Sequence, residues 1–422
     1  MAANIRFSTA LRPHVRNKME QLGNVDIVVG IPTFSSASSI GYVMKTIIKG
    51  LDRYYPDRRA LLVVSDGGST DDTRELARDV DPKSYNIESI VTIYRGLPGK
   101  GSGLRAVFEI GHFLKARAVA VFDSDLQSIT PEWLRNVLEP VMEGYDFVAP
   151  DYKRYKLDGT ITNTIAYNLL RALYGWKIRQ PIGGDFGVSP ALAKYYLDQD
   201  VWETDVAKFG IDIWMTTSAI VGGFRICQTR LGAKIHGQKD PSADLGPMFR
   251  QVVGTTFLLM DQYQDFWLNV KGARDVPTLG EAVGQDPEAF EIDQEALVEY
   301  FRMGLKNFSG VWQNILAGKD LKVVRELSRI DRMDRFLLPT ETWVRIVYQC
   351  AGIFKASSRQ RFKLLDTMIP LYYARVASLV NELRDKSTEE AETFFEEQAQ
   401  AFETMKHYMV EVWKRKGGDL YG

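Results

Sequence analysis

Asp123 and Asp125 stand one residue apart in VAVFDSDLQ, directly after four apolar residues. A β-branched apolar run of that kind reads as a buried parallel strand, and the residues after it are delivered to the carboxyl edge of the sheet, where open α/β folds hold their ligands. Two carboxylates at such a tip suit Mg²⁺ or Mn²⁺, hard ions commonly held by one or two carboxylates together with substrate phosphates. A short Asp-x-Asp is also a common solvated turn, so its surroundings decide. Upstream, LPGKGSG places Lys100 in a glycine loop that opens a helix; main-chain N–H groups and the helix N-terminus face an anion there, and the ammonium adds a compact positive charge. It lacks P-loop spacing, and a solvated loop lysine is the alternative. SDGGSTDDT ends another apolar run: Asp66 can accept from a base N–H and the glycines allow close approach, or the segment is a plain turn with Ser69 or Asp71 capping the next helix. His236, after RICQTRLGAKI, offers an imidazole to a metal or serves as a structural hydrogen-bonder.

The elements that must position these groups follow from periodicity. From Val25, short apolar runs alternate with amphipathic segments: DIVVGIP, SIGYVMKTIIKGLDRYY, ALLVVSD, DDTRELARDV. SIVTIYR, the helix in GSGLRAVFEIGHFLKA, AVAVFDSD and a further strand in DFVAPDY continue the pattern. Strand and helix at that spacing specify βαβ units and a mostly parallel sheet flanked by helices. Beyond about Pro241 the apolar residues recur at three- and four-residue spacing, which reads as an all-α region. The expected organisation is an N-terminal polar arm at 1–24, an α/β domain at 25–240 and a helical C-terminal domain at 241–422. Phe257, Tyr263, Phe266 and Trp267 can bury against the α/β domain or a second subunit, which leaves a homodimer open.

Composition narrows the function. With 45% apolar and 25% charged residues, the 422-residue chain has a globular make-up. A net charge of −1 argues against a broad nucleic-acid surface. Two distant cysteines, Cys227 and Cys350, support neither a disulfide framework nor a cysteine zinc site, and read as a reducing, cytoplasmic compartment. No apolar run approaches the roughly 18 residues of a membrane span, and the first residues lack a signal-peptide core.

Taken in order, IPTF, SDGGSTDDT, PGKGSG, DSDLQSITPEWL, QPIGGDFGVS, FGIDIWM and KIHG resemble the nucleotide-sugar-dependent glycosyltransferases of GT-A fold. Within that family the pattern is similar to the retaining group that includes the glucosyl-3-phosphoglycerate and mannosylglycerate synthases. The resemblance covers about residues 25 to 240. It implies that Asp66 contacts the nucleobase, with Pro32 and Thr33 also on the donor side. Lys100 is implied on the diphosphate, Asp123 and Ser124 on the donor, and Asp123, Asp125 and His236 on the metal. QPIGGD resembles the loop near sugar and acceptor, with Asp185 where Glu is usual. It sets Arg179, Gly183, Gly184, Asp185 and Asp212 on the acceptor side. After Pro32 the family's acidic pair is replaced by Ser35-Ser36-Ala37, which leaves UDP and GDP both open.

The implied reaction moves a glucosyl or mannosyl group from a UDP- or GDP-hexose to glycerate, phosphoglycerate or a similar small hydroxy acid, with retention. Mg²⁺ or Mn²⁺ and Lys100 would stabilise the leaving diphosphate. Asp212 and Asp185 are the candidates to steady the oxocarbenium-like centre or take the acceptor proton. For Asp212 a first-turn helix carboxylate is the plainer role. For Arg179 and Lys234, binding of an acceptor anion competes with a surface role. Two other functions stay open: an inverting family-two-like transferase on a lipid or glycan with Asp212 as base, and a non-catalytic nucleotide-sugar-binding regulator.

Overall fold

The computed structural model describes residues 7–82, 87–235, 241–282, 284, 286–357 and 361–415, with only the backbone for 241–245. Contacts divide the chain into two units: Met1–Lys153, Arg179–Gly237 and Val276–Pro287 form the first, and Arg154–Ile178, Gln238–Asp275 and Glu288–Gly422 the second. The expected cut after residue 240 is not the one the contacts draw. Arg154–Ile178 leaves the α/β pattern for the helical unit, and Val276–Pro287 returns from the helical sequence to the sheet.

In chain order the first unit runs α1 (Pro13–Leu22), β1 (Ile27–Thr33), α2 (Ile40–Tyr54), β2 (Ala60–Asp66), α3 (Thr73–Asp79), β3 (Ile87–Ile93), α4 (Lys100–Phe113), β4 (Ala118–Val121), α5 (Pro131–Met142) and β5 (Phe147–Lys153). The chain then enters the second unit, where α6 (Tyr167–Leu169) lies between π-helical turns at Thr162–Ala166 and Leu170–Tyr174. It returns to the first unit as β6 (Phe186–Val188), α7 (Pro190–Leu197), α8 (Ile211–Val221) and β7 (Ile226–Ala233). After α9 (Pro241–Gln262) and α10 (Gln264–Trp267) of the second unit, β8 (Thr278–Leu279) joins the sheet. The second unit ends with α11 (Gln294–Ile315), α12 (Gly318–Leu327), α13 (Thr340–Ala356), α14 (Arg361–Glu382), α15 (Thr388–Thr404) and α16 (Lys406–Lys414).

The sheet order is β3-β2-β1-β4-β6-β5-β7-β8. Every pairing is parallel except those of β6, which runs antiparallel between β4 and β5. The sheet is therefore mostly parallel, as the alternating pattern requires. β1 and β2 are buried along their whole length, because helices cover both faces. Ile27, Val29 and Ile31 point into a core with Ile47 of α2 and Leu134 of α5. The alternate position Gly30 meets Val107 of α4 on the other face. No helix among the described residues is long and apolar enough to cross a membrane.

Two expectations change. The N-terminal segment is not a loose polar arm: α1 buries Val15 and Met19, and the N–H of Ala10 donates to Glu109 of α4 at 3.0 Å. The aromatic residues of α9 and α10 bury within the helical unit itself. Phe257 packs on Phe354 at 5.4 Å, Trp267 on Trp413 at 5.4 Å, and Phe266 stacks on Tyr174 at 6.1 Å. In the same unit Arg375 is fully buried and donates to Glu382, Gln398 and the carbonyl of Leu338.

A Cβ at Gly30 would lie 2.5 Å from both methyl carbons of Val107. Gly30→Val is therefore expected to cost about 1–3 kcal/mol through overpacking, read as a lower denaturation midpoint. Gly41→Ala, where a Cβ meets nothing within 4 Å, is the control and should leave the midpoint unchanged or higher.

Candidate active site

Strand order explains which side chains meet. The carboxyl ends of β1, β2, β4, β5 and β7 share one edge of the sheet, and the antiparallel β6 begins at that same edge. Asp185, the residue before β6, thus arrives beside Asp123, just past β4. Tyr152 of β5 registers with Gly232 of β7, which sets Lys234 at the neighbouring tip. Lys100 opens α4 and Asp212 lies in the first turn of α8.

These residues form one network centred on Asp123. Lys100 Nζ lies 2.8 Å from Asp123 Oδ1 and 3.1 Å from Asp212 Oδ2. Lys234 Nζ lies 2.8 Å from Asp123 Oδ2, 2.8 Å from Asp185 Oδ2 and 2.7 Å from the carbonyl of Gly183. Asp185 accepts the N–H of Asp123 at 2.8 Å and the phenolic O–H of Tyr152. The Tyr152 ring also underlies the Lys234 ammonium at 5.2 Å. Glycine is required at 184: its φ is +92°, and a Cβ there would sit 2.2 Å from Asp123 Oδ2.

Burial makes these charges interdependent. Desolvation favours neutral Asp123, yet the two lysines outweigh it and hold its carboxyl well below the ordinary range. Desolvation likewise opposes the Lys100 charge, and Asp123 with Asp212 outweighs it, so the ammonium is held more firmly than usual. For Asp185 and Asp212 burial wins, and both carboxyls titrate above their usual value despite their lysine partners. Asp212 Oδ1 is buried with no hydrogen-bond partner among the described residues, an acceptor left for a ligand or water.

Other expected donor residues turn inward. Asp66 is fully buried; its oxygens accept from the N–H of Gly68 at 2.8 Å, the N–H of Ser69 at 2.9 Å and the hydroxyl of Ser69 at 2.5 Å. It builds its loop, and a base contact by this carboxylate would require that loop to open. Ser124 is spent in the same way: its hydroxyl pairs with Ser36 at 2.8 Å, and its carbonyl accepts from Ser39 at 2.7 Å. Pro32 and Thr33 are buried. The residue that faces outward beyond β1 is Phe34, 66% exposed. Sequence reading passed over it because an aromatic after a strand ordinarily signals core.

Asp125 is half-buried at the tip of β4. His236 lies outside the described residues; Ile235, before it, bonds through its main chain to Gln127 and Ser128, close behind Asp125. Among the described residues no group of three or more His, Cys, Asp or Glu is gathered to hold a metal. Arg179 is half-buried, and its N–H donates to Gln228 at 2.6 Å as it opens the 180–185 loop. That loop is tied to α8 by the Thr216 hydroxyl, which donates to the Pro181 carbonyl at 2.7 Å. Lys234 is no surface residue: it is buried and paired with Asp123 and Asp185, because strand order sets the end of β7 beside both acids.

Residues 28–189 match Glycosyl transferase family 2. The chain is 27% identical over 250 residues to glucosyl-3-phosphoglycerate synthase of Mycolicibacterium paratuberculosis, spanning 54% of this chain and 70% of that protein. It is 26% identical over 247 residues to the Mycolicibacterium smegmatis synthase, spanning 54% and 76%. A crystal structure of glucosyl-3-phosphoglycerate synthase from Mycobacterium tuberculosis with Mn²⁺, uridine diphosphate and phosphoglyceric acid superposes with a TM-score of 0.42 at 23% identity, covering 60% of this chain and 84% of that one. The chain thus carries a nucleotide-sugar glycosyltransferase domain and resembles the glucosyl-3-phosphoglycerate synthases.

Lys100→Ala would leave Asp212 buried and unpaired, a change that costs about 3–5 kcal/mol when a buried pair loses one partner. The denaturation midpoint is expected to fall, and Asp212→Asn added to it to restore most of the loss without restoring activity, as read by calorimetry and turnover. Because Asp212 titrates above its usual value of 3.8, its ionised fraction falls as pH drops through that raised value. The acid limb of kcat is expected above the ordinary carboxylate range, measured as a pH–rate profile, and absent from the residual activity of Asp212→Asn.

Proposed function

We propose that this chain transfers a glucosyl group from UDP-glucose to phosphoglycerate, with retention at the anomeric carbon. The observation that carries the reading is Lys100, the first residue of α4, shared between Asp123 and Asp212 at the sheet edge. A cation in the first turn of a helix is disfavoured by the dipole, so its placement there suits a bound anion. The names of the relatives support glucose and phosphoglycerate.

Donor binding divides along the edge. Phe34 offers an exposed face at the end of β1 beside Gly67, suited to stacking a base. Asp66, the acid at the end of β2, is already engaged by its own loop. Lys100 reaches for the diphosphate. The resting network sets two ammonium groups against the carboxylates of Asp123, Asp185 and Asp212, with Asp125 alongside, a balance that repels a diphosphate unless a divalent cation enters with it.

The donor set fits Mg²⁺ or Mn²⁺. The residues proposed to hold it are Asp123 and Asp125 at the tip of β4, with His236 as the remaining candidate. When bound, such an ion neutralises charge that builds on the departing diphosphate. The protein's own residues do the rest. Asp212 Oδ1, buried and without a partner among the described residues, is the group to accept the acceptor hydroxyl. Its other oxygen shares Lys100 with the diphosphate, which sets Asp212 on the leaving-group side of the sugar. An inverting base must stand on the opposite face, so this geometry favours retention over the inverting reading. The acceptor oxygen bonds to C1 as the C1–O bond to the diphosphate breaks. The hydroxyl proton passes to Asp212 or to the departing phosphate oxygen.

The test is transfer from UDP- and GDP-glucose and GDP-mannose to glycerate and phosphoglycerate, with the product anomer read by NMR. UDP-glucose with phosphoglycerate should give an α product, and turnover should stop in excess chelator. A β product would sink retention. Asp125→Ala should lower the rate by roughly a hundredfold or more, the scale for loss of a principal electrostatic stabiliser, and raise the metal concentration for half-activity. Phe34→Ala should raise the donor KM several-fold, about 1 kcal/mol or more of lost stacking, with the phosphoglycerate KM unchanged.

A further inference from the structure

Tyr94, the residue after β3, touches both halves of the donor site. Its main-chain N–H donates to the carbonyl of Asp66 at 3.2 Å, which fixes it beside the loop that ends β2. Its phenolic oxygen accepts the N–H of Gly99 at 2.8 Å. Gly99 caps α4 and precedes Lys100. The same oxygen stands 3.1 Å from where a Cβ of Gly67 would be, and Phe34 Cδ2 stands 3.2 Å from that point. Gly67 is therefore pressed between the exposed aromatic assigned to the base and the tyrosine that grips the lysine loop.

From its other side the lysine loop is held by the segment leading to α8. Gly101 donates to the carbonyl of Lys208 at 3.2 Å. A Cβ at Gly101 would lie 1.9 Å from the Val206 carbonyl oxygen, and one at Gly99 would lie 2.6 Å from Lys208 Cα. Held on one side by Lys208 and on the other by the Tyr94 phenol, Lys100 has its main chain set before any ligand arrives. Tyr94 keeps one capacity in reserve. Its oxygen is an acceptor to Gly99, and its own hydrogen has no acceptor among the described residues. An O–H whose oxygen already accepts a bond is polarised and donates more strongly.

We propose that Tyr94 is a donor-binding residue that joins base recognition to the phosphate cradle, donating its O–H to an oxygen of the bound nucleoside diphosphate while its oxygen holds Gly99. This rests on the glycosyltransferase reading of the site. It adds a residue between two loops that were otherwise independent. A nucleotide seated on Phe34 completes the Tyr94 hydrogen bond, and that bond steadies the loop presenting Lys100.

The experiment compares wild type with Tyr94→Phe, which keeps the ring and deletes one oxygen. UDP is titrated calorimetrically at saturating Mg²⁺, with UMP and inorganic pyrophosphate as separate probes, and KM and kcat are measured for both substrates. Loss of the phenol should weaken UDP on the order of tenfold, the scale of the hydrogen bonds removed. The sugar-nucleotide KM should rise in proportion and the phosphoglycerate KM stay fixed. UMP or pyrophosphate alone should weaken less than UDP, since neither engages both loops. Equal UDP affinity in the two proteins overturns the proposal, as does a lowered melting temperature with unchanged affinity, which would leave Tyr94 a packing residue. Stoichiometry in the titration gives the folded fraction, so affinity is read on that fraction even if the variant loses stability. If the wild-type protein binds neither UDP nor GDP, the reading of the whole site fails, an outcome distinct from the failure of Tyr94 alone.

Discussion

The Asp123 carboxylate held between two buried ammonium groups is the interaction on which the catalytic half of the molecule depends. Desolvation at the strand tip works against the charged form of this carboxylate. Lys100 and Lys234, each 2.8 Å away, keep it charged, and it in turn justifies burying them. Neither lysine is simply a local partner. Lys100 comes from the helix after β3 and Lys234 from the end of β7, so the clamp ties widely separated segments of chain to β4. The antiparallel β6 makes it possible by returning Asp185 to the same edge, where it shares Lys234 and accepts the Asp123 N–H.

Such a network is costly to build, and replacing buried ion pairs with apolar groups is often neutral or stabilising. Stability is therefore a poor reason for its existence. What it supplies is a lysine with two partners of unequal grip. Asp123 is the tighter, at 2.8 Å against 3.1 Å for Asp212. A diphosphate sharing Lys100 would loosen its hold on Asp212, whose other oxygen is left for the acceptor. Binding of one substrate would then prepare the group that serves the other.

Much of the fold was legible because its physics is local. β1, β2 and β4 announce themselves as apolar runs, and the glycine loop with Lys100 and the paired acids of DSD were read in their places. Less legible was the direction of each side chain. Asp66 and Ser124 have the composition of ligand-binding residues, but the first satisfies its own turn and the second joins two loops. Nothing in residue type separates a carboxylate that faces a ligand from one that faces its own N–H groups. Lys234 and Tyr152 gather meaning only through strand order, because β5 and β7 become neighbours by a crossover the sequence does not display. The division of the chain was hidden for a related reason. Arg154–Ile178 interrupts the α/β pattern with a helix buried on all sides, and β8 is too short to show a period.

Position within a helix carries the last step. Lys100 stands where the α4 dipole opposes it, and Asp212 where the α8 dipole favours it. An acid at position 100 would suit the α4 dipole better. The observed arrangement spends stability at Lys100, and it aims both a cation and the positive end of the α4 dipole at one point on the sheet edge. An anion there meets two sources of positive potential at once. The acid that shares the lysine stands on a different helix, with its second oxygen directed elsewhere. A structural ion pair has no need of that separation; a site that must hand a cation from one partner to another does.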